Sequence, residues 1–189
     1  QGITSVGSYA CDGAQNLTSV DIPDTVTEIG GHAFARCTAL KDIDIPATVT
    51  VMGNDVFDGF SDPIRITMPH RLYNNYKDIL FNTSTTKAVV LFYDGVMIVG
   101  AALVGRYDGG RVQIPEGFLL DENHEHCFKP SDNRCILCGT IGGFCGTIEQ
   151  RPYAQWSFDE LNGVLRISGE GEVATHPWLD LYKDQILRA

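Results

Sequence analysis

The densest concentration of reactive side chains lies between Asp121 and Gly146, where the chain reads DENHEHCFKPSDNRCILCGTIGGFCG. Cys135 and Cys138 form a C-x-x-C followed by Gly139, a spacing that turns two thiolates toward one tetrahedral Zn²⁺. His124, His126 and Cys127 are the residues available to complete such a ligand set. A second C-x-x-C, which would make a zinc ribbon, is absent. In an exported protein, disulfide pairing among Cys127, Cys135, Cys138 and Cys145 is equally natural. Cys127 beside His126 spells a nucleophile with its base, but adjacent residues in a loop seldom reach that geometry, and structural pairing is the favoured reading. The chemistry expected here is structural, and structural zinc is the one cofactor the residues suggest.

Elsewhere the sequence asks for no catalyst. It contains no G-x-S-x-G elbow, no H-E-x-x-H, no phosphate-cradling G-x-x-x-x-G-K-[ST], and no G-x-G-x-x-G between a strand and a helix. A formal net charge of −10 argues against nucleic acid and against adsorption to anionic lipid, and leaves basic partners or neutral glycans open. The longest apolar run, 88–105, is short for a bilayer and is interrupted by Asp94-Gly95. Asp-Gly between two β-rich runs predicts a hairpin, with AVVLFY and VMIVGA as buried strands.

What must position any site is a 23-residue unit written three times in register: ITSVGSYACDGAQNLTSVDIPDT, VTEIGGHAFARCTALKDIDIPAT and VTVMGNDVFDGFSDPIRITMPH. Such self-similarity predicts a solenoid in which each unit buries its apolar face against its neighbours. The apolar columns are Ile3/Val26/Val49, Val6/Ile29/Met52, Cys11/Phe34/Phe57, Val20/Ile43/Ile66 and Ile22/Ile45/Met68. Gly7, Gly30 and Gly53 mark positive φ or a close backbone approach, and Pro23, Pro46 and Pro69 end a short strand in each unit. The segments SYACDGA, GHAFARC and NDVFDGF read as helical or 3₁₀ turns. Cys11 and Cys37 are expected as buried thiols.

Outward strand positions form two rows: Asp21, Asp44 and Thr67 in one, Ser19, Asp42 and Arg65 in the other. Strands stacked ~4.8 Å apart would hold Asp21 and Asp44 as close like charges. Either water screens them or a cation or basic ligand makes the arrangement useful, so these six residues are the candidate partner surface. Their outward positions carry no aromatic patch, which counts toward a spacer.

The pattern I-G-x-x-A-F-x-x-C-x-x-L-x-x-I-x-I-P, carried by Ile29, Gly30, Ala33, Phe34, Cys37, Leu40, Ile43, Ile45 and Pro46, closely resembles the BspA-type leucine-rich repeat. The resemblance covers residues 3 to 70, with weaker echoes later. The outer units depart from it: Cys11 replaces Phe, Ala14 and Phe60 stand where Cys is usual, and Pro63 replaces Leu. The resemblance implies a leucine-rich-repeat-like α+β solenoid. It also implies a large secreted or surface protein of gut or oral bacteria, or of some protozoa, with adhesion to host matrix proteins or cells as the activity.

After the repeats, Leu72, Tyr76, Ile79 and Leu80 fall on one helical face, so RLYNNYKDILF is expected as an amphipathic helix capping the stack. Val112, Ile114 and Pro115 repeat the V-x-I-P strand ending of a degenerate further block. Asn162-Gly163 between alternating runs predicts a second hairpin. Trp156, Phe158, Gly163, Leu165, Ile167, Ser168, Gly169 and Gly171 resemble a segment that precedes repeat blocks in the same surface proteins. The expected organisation is a solenoid with capping helix and hairpin over 1–120, a Cys/His linker over 121–148, and the start of a small β-rich module over 149–189. The chain opens inside a repeat, which suggests a piece of a longer protein.

The functional expectation is a non-enzymatic extracellular recognition module, secreted or on a bacterial cell surface, that binds a protein or glycan and neither nucleic acid nor membrane. The alternative is a structural spacer between repeat arrays whose linker is held by metal or disulfides.

Overall fold

The computed structural model describes residues 2–82, 85–105, 109–125, 127–128, 134–139, 141–145, 154–159 and 164–168. The chain divides into two compact units, Gln1–Tyr107 with Ile114–Glu125, and Asp108–Gln113 with His126–Ala189.

The first unit is a β-solenoid of about five turns. Strands β1 (Ser5–Val6), β2 (Glu28–Ile29) and β4 (Val51–Met52) pair in parallel as Val6↔Ile29↔Met52, so the 23-residue period is the pitch of the winding. A second sheet contains β3 (Asp42–Asp44), β5 (Ile64–Pro69), β6 (Ala88–Asp94), β7 (Met97–Val104) and β8 (Leu119–Glu125) in that order. β3, β5 and β6 are parallel, with Ile43↔Ile66↔Val90 in one column.

The core follows the columns. Val26, Ile29, Phe34, Ile43, Ile45, Val49, Met52, Phe57, Ile66 and Met68 are all buried. Phe34, Phe57 and Phe81 form a spine with ring centroids 6.1 and 6.0 Å apart. In the first turn Ile3 is 61% exposed, and Val6, Cys11, Leu17 and Val20 are packed only in part.

The segments expected as helical or 3₁₀ turns are hydrogen-bonded turns rather than continuous helix: Ala10, Asp12, Ala33, Ala35 and Asp58 donate to the carbonyls of Gly7, Tyr9, Gly30, His32 and Asp55, three residues back. φ is positive at Tyr9, His32 and Asp55 in one column and at Gly13, Arg36 and Gly59 in another, which breaks any helix within four residues. The amides that alternate with these donors bond the next turn. Tyr9, Cys11 and Gly13 donate to the carbonyls of Gly31, Ala33 and Ala35, and His32, Phe34 and Arg36 donate to those of Asn54, Val56 and Asp58. These bonds form a second backbone ladder opposite the strands and satisfy groups that a buried loop would leave open.

Of the two roles open to the glycine column, close approach is the one the structure uses. A Cβ on Gly30 would lie 2.4 Å from the Ser8 amide nitrogen, and one on Gly53 would lie 2.2 Å from that of Gly31.

The repeat does not end at Pro69. β6 stacks on β5 as the next turn, with an offset one residue longer (Ile64↔Ala88). Helix α1 spans only His70–Tyr76 and belongs to that turn rather than capping the stack. Ile79 and Leu80 leave the helix to accept from Asp55 and Phe57 in the turn ladder, which leaves Ile79 39% exposed while Leu80 is buried.

The hairpin is present, one residue from its expected place. Asp94 pairs with Met97, and the two-residue turn is Gly95-Val96, with Gly95 at φ 59°. A glycine first in a two-residue turn supplies the positive φ that the strand twist needs.

No strand is assigned at Val112–Pro115; β8 begins at Leu119. The Val112 amide donates to the Ile136 carbonyl at 2.7 Å inside the second unit, while Ile114 and Pro115 belong to the first, so this V-x-I-P does not form the strand ending its pattern predicts.

In the second unit, β9 (Ile141–Cys145), β10 (Ala154–Asp159) and β11 (Val164–Ser168) form an antiparallel sheet in the order β11-β10-β9. The Asn162-Gly163 turn and everything after Ser168 lie outside the described residues.

Candidate functional site

Alternation along β3 buries Ile43 and Ile45 and turns Asp42 and Asp44 to solvent. The same alternation exposes Ser19 and Asp21 in the first turn. No strand is assigned there, and β3 has only β5 as a neighbour. The expected hydrogen-bonded pairing of residues 19–22 with β3 is therefore not made. Like charges at Asp21 and Asp44 oppose it.

The two outward rows part company after the second turn. Arg65 lies opposite Asp42 and approaches its carboxylate at 3.7 Å, a cross-strand pair that neutralises that row. Thr67 lies opposite Asp44 but is fully buried, with no partner for its hydroxyl, so it offers nothing to a docking molecule. The exposed part of the expected surface is thus Ser19, Asp21, Asp42 and Asp44, with Arg65 half-buried.

A cleft of about 440 Å³ opens on this side of the first unit, within the range of ligand pockets. The repeat turns supply Ile22, Ile45, Pro46 and Ala47 together with Asp21, Asp24 and Asp44. The hairpin supplies Tyr93, Gly95 and Val96, and the segment before β8 supplies Phe118. Tyr93 occupies the proline column, opposite Pro69. Its hydroxyl donates to the Ile45 carbonyl at 2.8 Å, and its ring meets that of Phe118 at 4.9 Å and 47°. Burial pushes the Tyr93 phenol up to about 12; Arg71 opposes this, while the carboxylates of Asp44 and Asp24 add to it. Among the described residues, ion pairs join Asp12 to Arg36, Asp62 to Lys41 and Asp42 to Arg65; Asp21, Asp24 and Asp44 belong to none.

Sequence reasoning reached Asp21 and Asp44 but missed Asp24, Tyr93 and Phe118. The usable signal was the hydrophobic run after Lys87. Aligned with one extra residue it continues the columns, and it then places Tyr93 beside Pro46 and Pro69.

The cysteine-rich segment spans both units, each of which holds part of the expected set. In the first, His124 is buried near the end of β8, with its Nδ1 2.7 Å from the Asp121 carbonyl. In the second, Cys127 and Cys135 are buried and Cys138 is half-buried. Phe128 bridges Cys135 in antiparallel fashion, and the Ile136 amide donates to the Cys127 carbonyl at 2.9 Å. The C-x-x-C closes on itself: Gly139, at φ 82°, donates its amide to the Cys135 carbonyl at 2.9 Å. A side-chain hydrogen bond with Cys138, followed by burial, raises the Cys135 thiol well above the usual range. Adjacent thiols on a closed turn suit a shared metal or a disulfide. His126 and the Cys145 side chain lie outside the described residues.

Residues 1–101 match the BspA type Leucine rich repeat region, in six copies. No curated protein and no solved structure matches the chain. Among the described residues no helix is long and apolar enough to cross a membrane.

Proposed function

Because the chain belongs to the BspA-type leucine-rich repeat family, we propose that it acts as a non-enzymatic recognition module, secreted or on a bacterial cell surface, that adheres to an extracellular protein or glycan. The observation that carries this reading is the pairing of a solenoid fixed by two backbone ladders with a concave, partly apolar cleft at its polar face. A surface whose backbone is already ordered loses little conformational freedom when a partner docks. Nothing in the cleft resembles a nucleophile with its base: its titratable side chains are three aspartates and a tyrosine whose hydroxyl is committed to Ile45.

The test is binding of the chain to immobilised extracellular matrix proteins and glycans, read by surface plasmon resonance. Saturable binding to at least one member supports recognition, and flat responses to all of them overturn it.

The closed C-x-x-C favours one second reading, a spacer whose Cys135–Cys138 turn is held by zinc or a disulfide. Metal analysis of the purified chain, with Cys135→Ser alongside, and mass measurement under non-reducing conditions separate the two. A chain with neither zinc nor a disulfide at these positions overturns the spacer reading.

A further inference from the structure

We propose that the cleft beside Tyr93 receives a lysine or arginine side chain presented by an extended segment of a partner protein. This rests on the recognition reading above and adds the chemistry of its ligand.

The argument begins with charge. Asp21, Asp24 and Asp44 line one cleft, and among the described residues none of the three has an ion-pair partner. Arg71 reaches the same neighbourhood from α1, but its guanidinium is tied to the Ala47 carbonyl, and it brings one positive charge against three carboxylates. Gathering like charges around a low-dielectric wall costs stability and focuses a negative potential into the opening. A cation entering there relieves the repulsion.

The walls select which kind of cation. A small hydrated ion would need converging oxygen ligands, and much of this lining is apolar. Lysine and arginine combine a charged head with a methylene stem that covers apolar surface, which is what a cleft with both kinds of wall accommodates. The aromatic pair points the same way. Tyr93 is 8% exposed and anchored through its hydroxyl, while Phe118 is only half-buried, so a ring face at the opening can meet a cationic head. Val96, 58% exposed on the hairpin turn, gives the neighbouring residues of the incoming segment an apolar contact. The chain's net charge of −10 steers a basic segment toward it from a distance.

The test uses the whole chain and a fluorescein-labelled peptide alternating glycine with lysine and arginine, read by fluorescence anisotropy beside a counterpart with glutamine at the basic positions. Three variants accompany the wild type: Asp21→Asn/Asp24→Asn/Asp44→Asn in the cleft, Glu28→Gln/Asp62→Asn/Asp78→Asn elsewhere with the same change in net charge, and Phe118→Ala with no change in charge. Thermal melts confirm that each is folded. The expected result is saturable binding of the basic peptide alone, weakened about tenfold or more by the cleft triple and by less than about twofold by the control triple. Phe118→Ala also weakens binding, which diffuse attraction would not predict. Equal losses in the two triples, or no saturable binding, overturn the proposal. The immobilised panel is run with the same variants. Capture of a panel member unchanged by the cleft triple overturns the cleft and leaves the recognition reading standing; failure of both panel and peptide overturns both.

Discussion

The hydroxyl of Tyr93 donates to the carbonyl of Ile45 at 2.8 Å, tying the β6–β7 hairpin to a repeat turn 48 residues earlier. The bond is buried, and it fixes one wall of the cleft against another.

Tyr93→Phe keeps the ring and removes that donor. A buried carbonyl that loses its partner costs about 1–3 kcal/mol, so the urea midpoint falls while the cooperativity of unfolding is kept. An unchanged midpoint would mean that the bond carries no net stability.

The same residue makes stability pH-dependent at the alkaline end. The phenol is held at about 12 in the folded chain against 10 in the unfolded one, chiefly by burial. Its contribution is complete below about pH 10 and is lost as pH rises toward about 12, because the unfolded chain gives up the proton first. The loss is at most about 3 kcal/mol. Urea melts across this window should show the fall in wild type and a shallower one in Tyr93→Phe.

Gly53→Ala is expected to destabilise by about 3 kcal/mol or more, because its new Cβ would meet the Gly31 backbone, which cannot swing aside as a side chain can. Gly7→Ala, in the same column, has nothing within 4 Å and a φ that is not positive, so it should be neutral or slightly stabilising. Thermal melts of the pair check the column with its own internal control.

Phe57→Ala removes the middle ring of the spine and leaves a void between Phe34 and Phe81. The expected cost is about 3–5 kcal/mol, measured by chemical denaturation. Phe57→Leu keeps most of the volume and should cost less than half as much.

Native-state alkylation should discriminate among the thiols. Cys37 is fully buried, its Sγ contacts the Cys11 carbonyl at 3.0 Å, and burial raises its pKa, so thiolate is scarce as well as hidden. Cys11 is half-buried. Peptide mass mapping over time should show Cys11 modified well before Cys37.

Period and column were legible because both repeat within the sequence: Phe34 and Phe57 announce one column, Ile43 and Ile66 another, and all four are buried. The positive φ and the inter-turn bonds were not legible, because His32 and Arg36 donate to carbonyls of the next turn and no pattern inside one unit records that. β6 was recognised as half of a hairpin but not as another turn, since a single inserted residue carries it out of the 23-residue register. Thr67 shows the same limit. Its position says outward, yet burial depends on what lies over it. Asp24, Tyr93 and Phe118 come from separate stretches, and only folding brings them to one cleft.

The turn at Gly95-Val96 bears on how such a chain can change length. Up to Asp94 the paired strands run in one direction and the units bond through backbone groups, so a duplicated unit placed between two existing turns would meet the donors and acceptors its neighbours already use. At the turn itself the polarity reverses, so a unit inserted between β6 and β7 would meet one of them with the wrong polarity, whereas beyond it β8 again pairs in parallel with β7. Repeats gained or lost on the N-terminal side of this glycine therefore leave the hairpin, and with it the far wall of the cleft, in place.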